Sequence, residues 1–121
     1  MSTCQVRFYA DSSGCQMIEF LESLGEEART RCIAKLTLLA IFGHELRRPA
    51  VDNLGNGIWE LRAKHNTVQY RMLFFFHGQG VVVVSHGITK EAKIPPAEIG
   101  RAIVRKKAFD ADPDGHTFQW S

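Results

Sequence analysis

From Ile58 onward the chain stops reading as helix and starts reading as sheet, and this change of period restricts its folds more than any other feature. Ile58-Trp59-Glu60-Leu61-Arg62 alternates. That pattern puts Trp59 and Leu61 on one face of a strand and Glu60 and Arg62 on the other. After a polar turn over residues 63–67, Val68 to Phe76 forms a long β-rich run. The loop His77-Gly78-Gln79-Gly80 then leads into the β-branched run Val81 to Ser85. Three such runs joined by short loops predict a meander from Trp59 to His86.

Upstream, the period is helical. Gln5 to Tyr9 reads as a short strand, and Asp11-Ser12-Ser13-Gly14 as a turn. Met17, Phe20, Leu21 and Leu24 recur at the spacing of one helix face, and Gly25 ends that helix. Glu26-Glu27 opens a second helix, where acids suit the positive end of the dipole. Cys32, Ile33, Leu36, Leu39 and Ala40 form its apolar side, and Gly43 is its stop. Residues 44–57, with Pro49, Asp52-Asn53 and Gly55-Asn56-Gly57, read as a loop. Gly87 to Lys93 reads as a connector, and Pro95-Pro96 opens a last helix packed through Ile99, Ala102, Ile103 and Phe109.

The predicted order is β-α-α-β-β-β-α. This is an α+β domain with an antiparallel sheet, an αα-hairpin and a C-terminal helix, the helices lying mainly on one sheet face. The other face is then solvated or used. The domain is expected over residues 1–109, with an acidic tail over 110–121 that carries Phe118 and Trp120.

The length of 121 residues fits one domain able to bury its own core. No apolar run approaches the ~20 residues that span a bilayer, and no secretory pattern opens the chain. A cytoplasmic protein with no membrane partner is expected. Three cysteines at spacings that fit no zinc pattern, and five scattered histidines, predict neither a metal site nor a cofactor. Charge is uneven: residues 58–107 hold nine Lys/Arg against three Asp/Glu, net +6, in a chain whose total is +2. The expectation is a localised anion-binding face.

Strand parity narrows that face. Arg71 shares its parity with Gln69, and antiparallel pairing brings Arg71 and Arg62 to one side. Arg71 lies in an apolar strand and needs either an open face or a partner, for which Glu60 is available. His86 lies near the C-terminal end of the third meander strand, and Lys90 and Lys93 follow it. Glu60, Arg62, Arg71, His86 and Lys90 are the candidate catalytic residues. Lys64, Lys93, Arg101 and Arg105 are the candidate RNA or phosphate contacts. Such a set suits RNA cleavage by the RNA's own 2′-hydroxyl, with cations stabilising the phosphate and a base and an acid moving protons. Glu60 and His86 both remain open as base or acid.

The run Leu54-Gly55-Asn56-Gly57-Ile58-Trp59-Glu60-Leu61-Arg62, then Gln69-Tyr70-Arg71-Met72-Leu73-Phe74-Phe75-Phe76, resembles the RelE/HigB/ParE toxin superfamily, in its phage-derived HigB-like branch. His86-Gly87-Ile88-Thr89-Lys90 and Lys93-Ile94-Pro95-Pro96-Ala97-Glu98-Ile99 extend the resemblance, which covers residues 6–109. It implies the toxin of a toxin–antitoxin pair, with a helix-turn-helix antitoxin as partner. HigB- and RelE-like members cut mRNA on the ribosome. ParE-like members poison DNA gyrase, and a third possibility is a non-catalytic descendant that only binds antitoxin or nucleic acid. By position, Glu60 matches the Glu of the family's Glu-Leu-Arg motif, and Arg62, Arg71, Lys90 and Lys93 match its basic pattern. Lys90 is followed by Glu91 where the family often has a second basic residue.

Overall fold

In the computed structural model, which describes residues 3–89 and 93–119, the chain opens with strand β1 (Gln5–Tyr9). Helices α1 (Gln16–Ser23) and α2 (Glu26–Phe42) follow as the expected αα-hairpin. Gly43 ends α2 at a φ of +51°, a backbone conformation that suits glycine. Four strands come next: β2 (Val51–Gly55), β3 (Ile58–His65), β4 (Val68–His77) and β5 (Val81–Thr89). Helix α3 (Pro96–Ala111) begins on a proline, where the missing N–H costs least, and the short strand β6 (Thr117–Gln119) closes the described chain.

These strands form one sheet in the order β2-β3-β4-β5-β1-β6. The meander β2 to β5 is antiparallel throughout, but β1 lies parallel to β5, so the sheet is mixed rather than wholly antiparallel. The αα-hairpin supplies the crossover that a parallel pairing of these strands needs.

Further expectations change. Residues 51–55, expected within a loop, are an edge strand joined to β3 through Asn56-Gly57, both at positive φ (56° and 80°). That pair is the two-residue turn most favourable to a hairpin. Gly87 to Thr89, expected in a connector, still belong to β5, and Ala63 to His65, expected in a turn, still belong to β3. The acidic tail packs on the domain: its strand β6 pairs with β1, and Phe118 stacks on Phe8 with ring centroids 6.3 Å apart. Trp120 lies outside the described residues.

Two cores sandwich the sheet, so the helices are not confined to one face. On one side Leu21, Cys32, Leu36 and Leu39 of the αα-hairpin pack on Phe8, Leu61, Met72 and Phe74. On the other, Ala102 and Phe109 of α3 pack on Ile58, Leu73, Phe75 and Val83. Each large apolar side chain fully withdrawn from water here contributes about 1.5–3 kcal/mol. Glycine at position 87 lets the Phe20 ring of α1 lie against the β5 backbone. Among the described residues no helix is long and apolar enough to cross a membrane.

Candidate functional site

The register of three strands builds a charged cluster on the α3 side of the sheet, at its β2–β3–β4 end. Asp52 lies directly opposite Glu60, and Arg62 directly opposite Arg71. Each is a like-charge pair that would destabilise the sheet on its own. Interlocked, they satisfy each other. Glu60 Oε1 accepts from Arg62 Nε at 3.2 Å and from Arg71 Nη1 at 3.1 Å. Asp52 Oδ2 accepts from Arg62 Nη2 at 3.0 Å, and its Oδ1 accepts from Arg48 Nη2 at 2.7 Å. The result is an alternating chain: Arg48, Asp52, Arg62, Glu60, Arg71.

Burial grades this chain. Glu60 is 2% exposed and forms the floor. The Arg71 side chain is 13% exposed and that of Arg62 33%. Arg62 spends Nε and Nη2 on the two carboxylates, while among the described residues its Nη1 makes no hydrogen bond. The Glu60 hydrogen bond raises the Arg62 pKa further above its ordinary value, against a partial offset from burial. Burial pushes the Asp52 carboxyl up, but the Arg48 hydrogen bond and the charges of Arg48 and Arg62 outweigh it and hold that pKa below the usual carboxylate value.

A cleft of about 410 Å³ opens over this cluster. Asp52, Glu60, Arg62, Arg71 and Lys93 give it a polar side, with Asn53 at β2. Leu54, Ile94 and Ile99 give it an apolar wall. Its three cations and two carboxylates sum to +1. Of the +6 carried by residues 58–107, only +2 lines the cleft, through Arg62, Arg71, Lys93 and Glu60, and Asp52 lowers it to +1, so what the cleft offers an anion is oriented N–H donors more than bulk charge.

The remaining candidates lie elsewhere. Lys64 is exposed at the far end of β3, opposite Gln69, and does not line the cleft. Arg101 stands half exposed on α3, 3.6 Å from Glu98. The guanidinium of Arg105 lies 5.2 Å from the centre of the Tyr9 ring and donates to the Ser85 carbonyl at 3.1 Å. Lys90 falls outside the described residues. His86 is fully buried beneath α3, two strands across from Glu60 through Leu73. Strand spacing puts their backbones about 10 Å apart. Thus Glu60, Arg62, Arg71 and Lys93 come together, and His86, Arg101 and Arg105 gather around Glu98 and Ser85 instead.

Asp52, Arg48 and Asn53 join the cluster or its cleft without having been expected, because residues 44–57 read as a loop. The signal that places them is Asn56-Gly57, whose turn folds β2 back onto β3 and sets Asp52 beside Glu60.

No curated protein matches the chain. The family model described as "Phage derived protein Gp49-like (DUF891)" matches residues 19–107, a span that holds α2, the whole meander and every side chain of the cleft. Within that span lie the fold and the register that create the cluster, so the sequence match and the geometry concern the same part of the molecule. The chain belongs to the Gp49-like family of phage-derived proteins, a family of the RelE-like toxin–antitoxin type.

Proposed function

We propose that the protein is the toxin of a toxin–antitoxin pair and an mRNA endoribonuclease of the HigB kind, acting on the ribosome. One observation carries the reading: Glu60 holds Arg62 and Arg71 side by side at the base of a cleft. Two oriented guanidiniums suit the scissile phosphate, whose oxygens gain charge as the 2′-oxygen attacks phosphorus and the bond to the 5′-oxygen breaks. The products are a 2′,3′-cyclic phosphate and a 5′-hydroxyl. In this reading Arg62, the more exposed of the pair, donates to the phosphate, and Lys93 neutralises it from the α3 side. Glu60, at 2% exposure, positions the guanidiniums rather than touching RNA. Asp52 is the partly exposed carboxylate of the cleft and takes the 2′-proton, while the departing 5′-oxygen takes a proton from solvent water to become the 5′-hydroxyl. Its lowered pKa makes it a weak base, so the rate rests mainly on phosphate stabilisation.

The test is to incubate purified protein with translating ribosomes and map new 5′-hydroxyl ends. Wild type cuts, and Arg62→Ala cuts about 10²–10³-fold more slowly. Absence of cleavage by wild type, or equal cutting by Arg62→Ala, overturns the reading. Growth arrest with intact mRNA and inhibited gyrase supercoiling would move the chain to the gyrase-poisoning members. A small helix-turn-helix protein encoded in the adjacent frame is the expected antitoxin, and its co-purification with this chain tests the pairing.

A further inference from the structure

The cleft has a second wall, and how that wall is held is a separate matter. Lys93, Ile94 and Ile99 belong to the segment that enters α3. Among the described residues, positions 93–95 make no backbone hydrogen bond to the sheet, and Pro95 and Pro96 have no N–H to give. Ile94 is buried, which supplies adhesion but little directional restraint.

A side-chain relay supplies the restraint. The β4–β5 ladder carries a bulge at Ser85, so that Leu73 faces His86 while Phe74 faces Val84. The extra residue turns Ser85 and His86 both toward α3. His86 is 0% exposed and uses both ring nitrogens: Nδ1 is 2.8 Å from Ser85 Oγ, and Nε2 is 3.0 Å from Glu98 Oε1. Arg105 Nη1 donates to Ser85 Oγ at 3.3 Å.

The donor directions follow from the chemistry. A carboxylate only accepts, so Nε2 carries the hydrogen and donates to Glu98. Nδ1 then accepts, and the Ser85 hydroxyl donates to it. Burial first, and then the Arg105 charge, depress the His86 pKa to about 4 against the opposing pull of Glu98, so the ring is neutral at ordinary pH. The neutral ring has one donor and one acceptor, and both are used.

We propose that His86 is a positioning residue: its bond to Glu98, in the first turn of α3, latches that turn to β5 and thereby fixes the cleft wall formed by Lys93, Ile94 and Ile99. Ser85 fixes the ring from behind. His86 touches no substrate. The latch is a structural claim about the cleft, and only its consequence for RNA rests on the ribonuclease reading.

The test therefore begins without RNA. Hydrogen exchange is followed by mass spectrometry in wild type, Glu98→Ala, His86→Leu and His86→Gln. Glu98→Ala removes the acceptor from a helix position that is one-quarter exposed, so it keeps the experiment informative even if His86→Leu fails to fold. Glu98→Ala is expected to speed exchange in residues 97–101 about tenfold, with β3 and β4 unchanged. His86→Gln keeps an N–H donor near the Nε2 position and restores most of the protection. In the ribosome assay the same variants raise KM more than they lower kcat. Unchanged protection in Glu98→Ala, a uniform loss that includes β3 and β4, or no recovery in His86→Gln overturns the latch. If the protein cuts no RNA but the local exchange pattern holds, the latch stands and the ribonuclease reading falls.

Discussion

Replacing Glu60 by Gln removes one charge from beneath two guanidiniums while keeping the shape of the side chain and one carbonyl acceptor. Breaking a buried ion pair by removing one partner costs about 3–5 kcal/mol. Two features reduce that figure here. Arg62 is one-third exposed and keeps Asp52, and the Gln carbonyl still accepts a hydrogen bond. Arg71, at 13% exposure, is more enclosed and bears most of the loss. A cost of about 2–3 kcal/mol is expected. With an unfolding entropy near 2.1 cal/mol/K per residue, a chain of this length loses about 4 °C of Tm per kcal/mol, so Tm falls by about 8–12 °C. Urea denaturation at neutral pH measures the free energy and calorimetry the Tm. A double-mutant cycle with Arg71→Met isolates the pair: Arg71→Met should cost at least about 1.5 kcal/mol less when Glu60 is already Gln. A loss below about 0.5 kcal/mol, or an additive cycle, refutes the account of Glu60 as the anchor of both arginines.

Acid titration tests the buried ring. Because the folded pKa of His86 is about 4 against an ordinary 6.5, the unfolded chain binds a proton in that window that the folded chain refuses. This contribution to stability is whole above pH 6.5 and is lost as pH falls toward 4, by on the order of 3 kcal/mol. His86→Leu should flatten the slope between those values in pH-dependent urea melts, and an unchanged slope contradicts it. Gly87→Ala would drive a Cβ into the Phe20 ring and should cost about 1–3 kcal/mol, and Phe20→Leu should recover part of the loss in the same melts. RNA binding should depend only shallowly on salt. If Arg62 and Lys93 are the phosphate contacts, the slope of log K against log salt for a short single strand is about −1.4, whereas a face acting with its whole excess of six charges would give about −4.

The meander was legible because its signals agree: alternation from Ile58, a long β-rich run and a glycine-containing loop all specify adjacent antiparallel strands, and the β3–β4 pair keeps an unbroken register. The cross-strand meeting of Arg62 and Arg71 follows from that register, and so does their shared need for Glu60. What stayed hidden depended on partners distant in sequence. The parallel pairing of β1 with β5 leaves no local mark, since a strand of five residues reads alike in either direction. Helix α3 has an ordinary apolar stripe, and nothing in that stripe says which sheet face it covers. The two faces are in fact both apolar, one through Met72 and Phe74 and the other through Leu73 and Phe75, and this continuous run was the available hint that each needed a cover. His86 illustrates the difficulty. A histidine at the end of a strand beside lysines looks like a solvent-facing acid or base, but a one-residue bulge at Ser85 turns it under a helix.

A common physical logic links the two walls of the cleft. On the sheet side a carboxylate, Glu60, sits beneath Arg62 and Arg71 and fixes where their donors stand. On the helix side a second carboxylate, Glu98, accepts from His86 and fixes where the first turn of α3 stands. Long cationic side chains lose up to about 2 kcal/mol of rotamer freedom when they are ordered, and a site that orders them only on binding must draw that from its affinity. Here the ordering is completed during folding, by acceptors that are buried or partly buried. The carboxylates reduce the net charge of the cleft, which weakens attraction at long range, and in exchange they leave donors already aimed at short range. For a reaction in which charge develops on a phosphate already delivered to the site, oriented donors matter more than the total charge. This is why Glu60, among the most buried charged groups of the domain, is better understood as the support of the site than as its base.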